Sequence, residues 1–366
     1  MANILDYLSW RGDISFSYAK FNEVDNLILS RLSYLPFEDF IGNTESMTIK
    51  EAYSQFSKLT KPSVLQKEDL DLFPALAKSE RFSHLMISDF VNHVSIETEK
   101  QFSAIVIHLP QGLYVSFRGT DDTIIGWKED FNMCFLDNIP SQIDSLEYLE
   151  KISKKYPDQK LIVGGHSKGG NLAVYSSAFC DDFTRNKIVH VYNNDGPGFS
   201  EKIIQTPEYQ LVLDKLISFV PQSSVIGRLL NHKGKSIVVK SSQSGILQHD
   251  LFTWQVYGTK FEKLDALTVK SLFIDKTISE WLEKVSPEER EKFIDIIFQI
   301  LSDTKVTSIE GLSKNWFYHA SVILKSYTNI DRESKDIVFH TLYSLFSLAS
   351  SNFLNSPNKS KILGHG

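Results

Sequence analysis

The run Leu161-Ile162-Val163-Gly164-Gly165-His166-Ser167-Lys168-Gly169-Gly170-Asn171-Leu172-Ala173 holds the residue types best suited to chemistry. It contains G-x-S-x-G as Gly165, Ser167 and Gly169, after an apolar strand and ahead of a helix-forming segment. A serine on a tight strand-to-helix turn presents its hydroxyl, and glycine two residues to either side lets backbones pass without a Cβ clash. The N-terminus of the following helix offers N–H groups and a positive dipole end to a developing oxyanion. The spacing therefore points to nucleophilic attack by Ser167. A phosphate cradle fits worse, because neither G-x-G-x-x-G nor a Walker-type lysine is present.

A serine nucleophile needs a base, and the base needs an acid to orient it. Behind such a turn the chain order is Ser, then Asp or Glu, then His. That order sets aside His84, His93, His108 and His166, and His190 lies inside the strand IVHVY. Downstream, His319 and His340 belong to a terminal helical zone and His365 to the tail. His232 sits in the basic turn Asn231-His232-Lys233-Gly234, and His249 follows the strand SIVVK and its loop. His249 is the favoured base and His232 the alternative. For the acid, Asp195 stands at the end of the strand Val189-His190-Val191-Tyr192-Asn193-Asn194, although Asp-Gly and Gly-Pro-Gly also make an ordinary turn. Asp214 points from a helical segment, and Asp250 adjoins the base and is badly placed to orient it. Asp195 is favoured.

These residues need elements to hold them. Strand candidates fall at 91–97, 102–109, 112–118, 160–164, 188–193, 216–220 and 235–240, with helices at 141–155, 167–180 and 207–215. Strands alternating with helices imply an α/β fold with a mostly parallel sheet, opened by an antiparallel pair across Pro110-Gln111-Gly112. Before them, Phe21-Asn22 leads into a helix bearing Val24, Leu27, Ile28 and Leu32 on one face, and Ser46 is a candidate cap for a second helix. After about 262, Ser286-Pro287-Glu288-Glu289 is a capping box opening a helix, and two more helices follow near 308–326 and 335–354. The expected organisation is a helical N-terminal segment over 1–85, an α/β core over 86–260 and a helical C-terminal segment over 261–366.

A second motif suggests a family. Val115-Ser116-Phe117-Arg118-Gly119-Thr120, followed by Trp127 and Asp130, resembles the F-R-G-T/S…W…D block of class 3 lipases. In that family the block precedes a G-H-S-x-G elbow at a spacing similar to the one here. The resemblance covers roughly residues 90–255. The opening Trp10-Arg11-Gly12-Asp13 and the helical ends resemble more closely a bacterial branch of that superfamily. The resemblance implies an α/β-hydrolase fold with helical N- and C-terminal additions. It places the histidine at His249 and an oxyanion-hole contact at Thr120, through backbone N–H and hydroxyl. The second donor would be the backbone N–H of Lys168. The resemblance also implies a short amphipathic lid over Asp121 to Phe135. There Ile124, Ile125, Trp127, Phe131 and Phe135 interleave with Asp121, Asp122, Lys128, Glu129 and Asp130. A plain surface helix fits the same pattern. The chain departs from the family in one place. Ser218-Phe219-Val220-Pro221-Gln222-Ser223-Ser224-Val225-Ile226 has serine where the family's acid is expected. Either the acid has moved to Asp195 or the triad is incomplete.

Composition bounds the rest. At 366 residues, 42% of them apolar and 23% charged, the chain has material for a sizeable core. A net charge of −6 supplies no global basic field for nucleic acid. Two cysteines, Cys134 and Cys180, make neither a disulfide framework nor a multi-thiolate zinc site. No cofactor is implied. The first residues interrupt any signal-peptide core with Asp6, Arg11 and Asp13, so a cytoplasmic address is expected. From Ile337 to Asn358 no residue is charged, but Val338, Leu342, Leu345, Phe346, Ala349 and Phe353 fall on one stripe. A packed amphipathic helix is favoured there over an integral membrane segment. The expected partner is a small-molecule or lipid ester, with transient membrane-surface contact compatible with it. The reading is a serine hydrolase of carboxylic esters, with a thioesterase or acyltransferase using the same parts. The rival from another class is a catalytically silent hydrolase fold that binds a protein.

Overall fold

The computed structural model describes residues 2–41, 46–95, 97–121, 123–133, 135, 136, 138–304 and 316–363. Asp122 and His365, Cys134 and the start of the helix expected near 308 lie outside the described residues, as do the side chains of Ile124 and Ile125. The strands are β1 (Ser46–Thr48), β2 (Met86–Ser95), β3 (Lys100–Leu109), β4 (Gly112–Phe117), β5 (Leu161–His166), β6 (Ile188–Asn194), β7 (Leu216–Pro221) and β8 (Ser236–Val239). Three short strands follow: β9 (Val256–Tyr257), β10 (Lys260–Phe261) and β11 (Lys263–Leu264). The main sheet runs β1-β2-β3-β4-β5-β6-β7-β8-β11, and β9 pairs with β10 apart from it. From β4 to β8 every neighbouring pair is parallel, whereas β3 meets β4 antiparallel through the Leu109↔Gly112 end of its register.

Two compact units make up the chain. The first comprises residues 1–93, 102–119 and 141–267. Its parallel strands follow one another in sequence order. Crossovers between parallel neighbours are right-handed, so an in-order sheet collects its crossover helices on one face. The helices Pro140–Lys155, Lys168–Phe179 and Pro207–Val212 do so, packing Leu149, Ile152, Leu172 and Val212 against Val106, Val115 and Val163. The other face needs a cover from elsewhere. The N-terminal helices Ile4–Arg11, Glu23–Leu32, Ile49–Phe56 and Asp69–Lys78 supply it, joined by Trp254 and Phe261. The strands sort their side chains with period two: Leu161 and Val163 face the crossover helices, and Ile162 faces the N-terminal ones.

Polar groups fix the N-terminal cover. Asn22 caps its helix in a capping box with Asp25, at the position the sequence suggested. The second expected cap is corrected: Ser46 pairs in β1, and Thr48 caps the helix in a box with Glu51. Buried Asp25 takes both arms of Arg81, at 2.8 and 2.5 Å, and the Tyr7 hydroxyl at 2.8 Å. Buried Arg31 grips Asp69 the same way, at 2.7 and 2.5 Å. Asn26 donates to Asn194 at 2.9 Å, and Asn194 donates to Ser30 at 3.0 Å. The helix Glu23–Leu32 is thereby tied to the carboxyl end of β6.

The second unit comprises residues 94–101, 120–140 and 268–366. Its helix Ile124–Asn132 occupies the place expected for a lid. Lys128 pairs with Glu99 at 2.5 Å and with Asp295 at 2.9 Å, while buried Glu129 accepts the Gln101 N–H at 3.0 Å. Phe131 meets Phe298 at 5.9 Å between ring centroids. The helix Pro287–Ser302 opens with the expected capping box at Ser286. The last two expected helices are Trp316–Asn329 and Arg332–Asn355. By length and composition, Arg332–Asn355 is apolar enough to cross a membrane. Its expected stripe is only partly covered: Val338 is buried against Ile296 and Ile300, whereas Leu342 and Phe346 are exposed.

Arg81→Met should strand the buried Asp25 carboxylate and lower the unfolding free energy by about 3–5 kcal/mol. Adding Asp25→Asn should recover part of that loss. Urea melts of the single and double variants check this, and equal losses would place the cost in packing instead of in the unpaired charge.

Candidate active site

Ser167 closes the ladder between β5 and β6. His166 pairs with Asn194, and the Ser167 N–H donates to the Asn194 carbonyl at 3.0 Å before the chain turns into the helix Lys168–Phe179. The turn forces Ser167 to φ 56° and ψ −134°, a conformation that stores about 1–3 kcal/mol. The flanking glycines are required sterically. A Cβ on Gly165 would stand 2.3 Å from the Gly169 carbonyl carbon, and one on Gly169 would stand 2.1 Å from the Phe117 oxygen. Lys168 begins the helix, and the N–H of a first helical residue has no partner within its own helix.

Asp195 follows directly on β6, at φ 53°, with its N–H held by the Phe219 carbonyl at 2.8 Å. The ladder that places Ser167 therefore places Asp195 on the adjoining strand end. Asp195 Oδ2 lies 2.7 Å from His249 Nδ1, and Oδ1 accepts the Ser224 hydroxyl at 2.5 Å. Asp195 and Ser224 are each 1% exposed. A Cβ on Gly227 would come within 2.1 Å of Oδ1, so only glycine lets this loop approach the carboxylate. The alternatives fall away on geometry. Asp250 caps the Phe252 N–H at 3.0 Å, Asp214 sits on the turn Leu213–Lys215, and His232 lies against Gly198.

His166 joins Ser167 to His249. Its ring lies against that of His249 at a tilt of 34°, with centroids 4.4 Å apart, and its Nε2 lies 2.8 Å from the His249 carbonyl oxygen. A carbonyl only accepts, so Nε2 carries the proton and Nδ1 accepts from the Tyr34 hydroxyl at 3.1 Å. Burial pushes the His166 pKa well below its ordinary 6.5, and the charges of His249 and Arg31 act in the same direction. Arg31 lies over the Tyr34 ring at 4.7 Å, so the N-terminal cover reaches the back of the site. Among the described residues no hydrogen bond joins Ser167 Oγ to His249.

Gly119 of the other motif lies at the same place. A Cβ on Gly119 would lie 2.6 Å from the His166 carbonyl and 3.1 Å from Ser167 Cβ. Thr120 opens the second unit, and within it donates its hydroxyl to Asp130 Oδ2 at 2.5 Å. The expectation gave that hydroxyl to the oxyanion; in the structure it donates a hydrogen bond to Asp130, the acidic member of the same motif. Among the described residues no group of three or more His, Cys, Asp or Glu stands where it could hold a metal ion.

Sequence reasoning missed Tyr34, Ser224 and the part played by His166. Chain order removed His166 as a base but carried no sign of its bond to the His249 backbone. Ser224 lay in the stretch singled out for its missing acid, and that was a usable signal. Because the folded protein keeps His166 neutral, an unfolded chain binds a proton below pH 6.5 that the folded one refuses. Stability should therefore fall with pH below that value, by at most about 1.4 kcal/mol per pH unit from this group. His166→Gln should flatten that part of the stability–pH curve in chemical unfolding. Parallel curves would mean that His166 is protonated in the fold.

The geometry can be set beside known proteins. No curated protein matches the sequence. Among solved structures, the lipase of Rhizopus microsporus var. chinensis is similar at 13% identity and TM-score 0.39, over 65% of this chain and 86% of its own. Lipase II of Rhizopus niveus gives 13% and 0.38, over 66% and 85%. Rhizomucor miehei lipase in complex with its propeptide gives 15% and 0.41, over 70% and 79%. Scores at this level carry no argument, and the α/β-hydrolase fold stands on the sheet order and the elbow at Ser167. The Mbeg1-like family model matches residues 76–299, more than half of the sequence and both halves of the site, and the chain belongs to that family.

Proposed function

We propose that this protein is a serine hydrolase of carboxylic esters, with an acyl lipid as the substrate class. The observation that carries the reading is the 2.7 Å bond between Asp195 and His249, set beside a serine held at positive φ. Ser167 Oγ attacks the acyl carbonyl as its proton passes to His249 Nε2. Asp195 holds the opposite tautomer and stabilises the imidazolium. The N–H groups of Lys168 and Thr120 take the charge on the carbonyl oxygen. The imidazolium then protonates the departing alkoxide, which leaves an acyl-serine that water cleaves by the same route. The Ser167–His249 hydrogen bond forms in the substrate complex, where such bonds tighten. A thiol ester or an alcohol acceptor would use the same groups. The family resemblance adds a bacterial source to the proposal, and the low cysteine content with the charged residues Asp6, Arg11 and Asp13 adds a cytoplasmic setting.

A second reading, a silent fold that docks a protein, draws support from Phe339, Tyr343 and Phe346 exposed on the helix Arg332–Asn355. Hydrolysis of a short soluble ester separates the two. Ser167→Ala and His249→Ala should each lower turnover by about 10⁶, and the double variant should be no worse. Asp195→Asn should cost about 10⁴ while the protein stays folded. A folded wild type with no hydrolysis of any acyl ester would favour the silent fold. Near-normal turnover in Asp195→Asn would remove Asp195 from the mechanism.

A further inference from the structure

We infer that the dipeptide Ser223-Ser224 is a positioning element, and that Ser224 holds the Asp195 carboxylate in the ionised, oriented state that His249 requires. The inference rests on the reading of Asp195 and His249 as acid and base. Asp195 has two oxygens and two partners. Oδ2 faces His249 Nδ1 at 2.7 Å, and Oδ1 takes the Ser224 hydroxyl at 2.5 Å. The carboxylate is 1% exposed, so water does little to solvate or orient it. A hydrogen bond from a buried hydroxyl to a carboxylate favours the charged form and fixes the plane of the two oxygens.

The neighbouring residue grips the other side of the pair. The Ser223 N–H donates to Gln248 Oε1 at 2.7 Å, and Gln248 immediately precedes His249. Gln248 is buried, its amide donates to the Gln243 carbonyl at 2.5 Å, and its own carbonyl takes the Trp254 indole N–H at 2.9 Å. Two successive residues thus hold the acid and the chain that carries the base, which sets the separation of Asp195 and His249. The turn itself is fixed by the Ser224 N–H on the Pro221 carbonyl at 3.0 Å, directly after β7. Gly227 completes the arrangement, since a Cβ there would meet both Asp195 Oδ1 and, at 3.0 Å, Ser224 Oγ.

This role differs from a packing role in what it does to protons. Removing the Ser224 donor makes the carboxylate more basic, and the Asp195–His249 pair then holds a proton more tightly. The base must be neutral to accept from Ser167, so the acid limb of the pH–rate profile moves to higher pH. Ser224 is 1% exposed and acts through Asp195, so KM should hold while kcat falls.

The experiment is the pH–rate profile of ester hydrolysis for the wild type, Ser224→Ala and Ser224→Thr, with thermal melts of each. Ser224→Ala should lower kcat about tenfold with unchanged KM and shift the acid limb upward by about half a unit or more. Ser224→Thr, which keeps the hydroxyl, should return the limb to its wild-type position. If Ser224→Ala does not fold, Ser224→Cys, a weak donor of similar shape, must show the same upward shift. An acid limb that coincides with wild type in a folded variant overturns the inference. The low-field proton resonance of the Asp195–His249 bond reads the contact without turnover, and Ser224→Ala should move it. If the wild type hydrolyses no ester but that resonance moves, the function fails and the positioning role stands. An unmoved resonance sinks the role on its own.

Discussion

The parallel strands β4 to β8 follow one another in order, and right-handed crossovers then leave one face of the sheet without helices of its own. The rest of the first unit answers that constraint. The N-terminal helices bury Val24, Leu27, Ile28 and Leu32 against the bare face, and the segment after β8 adds Trp254 and Phe261. Because this cover is built from a separate stretch of chain, it needs directional bonds as well as apolar area. Arg81 on Asp25, Arg31 on Asp69, and Asn26 on Asn194 provide them. Buried ion pairs of this kind add little net stability, but losing one partner is costly, so they select one docking geometry.

The same cover extends into the site. Tyr34 lies beyond the end of the helix Glu23–Leu32, and its hydroxyl meets His166, the residue before Ser167. His166 in turn holds the His249 backbone, while Asp195 holds the His249 ring. His249 is therefore fixed at two points, backbone and ring, by residues from the ends of β5 and β6, two strands in register. At these strand ends the strain sits in the turns: Ser167 and Asp195 are both at positive φ, at the same level of the sheet. Each is held there by a backbone bond, to Asn194 and Phe219 respectively. The geometry of the candidate site is a property of the sheet ends, with the loops after β7 and β8 closing on it.

Much of this was legible in the sequence where a local rule applied. Gly165 and Gly169 mark a turn no other residue could make, so Ser167 could be read with its strand and helix. Seven strand candidates followed from short apolar runs between turn and helix signals, and the capping box at Ser286 announced a helix start. Chain order singled out Asp195 and His249, and the structure brings them within 2.7 Å of each other. What escaped was long-range. The contact of Tyr34 with His166 spans 132 residues, and no periodicity records it. Ser46 was mistaken for a cap because a three-residue strand pairing with β2 is set by its partner and not by its own residues. Thr120 was assigned its hydroxyl from the motif, whereas Asp130, ten residues on in the same motif, accepts its hydrogen bond. The stripe on the helix Arg332–Asn355 was correctly periodic, but periodicity does not say how much of a stripe a neighbour covers.

The central claim is that Ser167 is an activated nucleophile served by the Asp195–His249 pair. Mass spectrometry of the protein after treatment with a fluorophosphonate tests it most directly, because the probe needs an activated serine and no knowledge of the substrate. The account predicts a single adduct on the peptide containing Ser167, formed rapidly in wild type and not in His249→Ala. Wild type left unmodified at Ser167, or modified equally fast without His249, would contradict it.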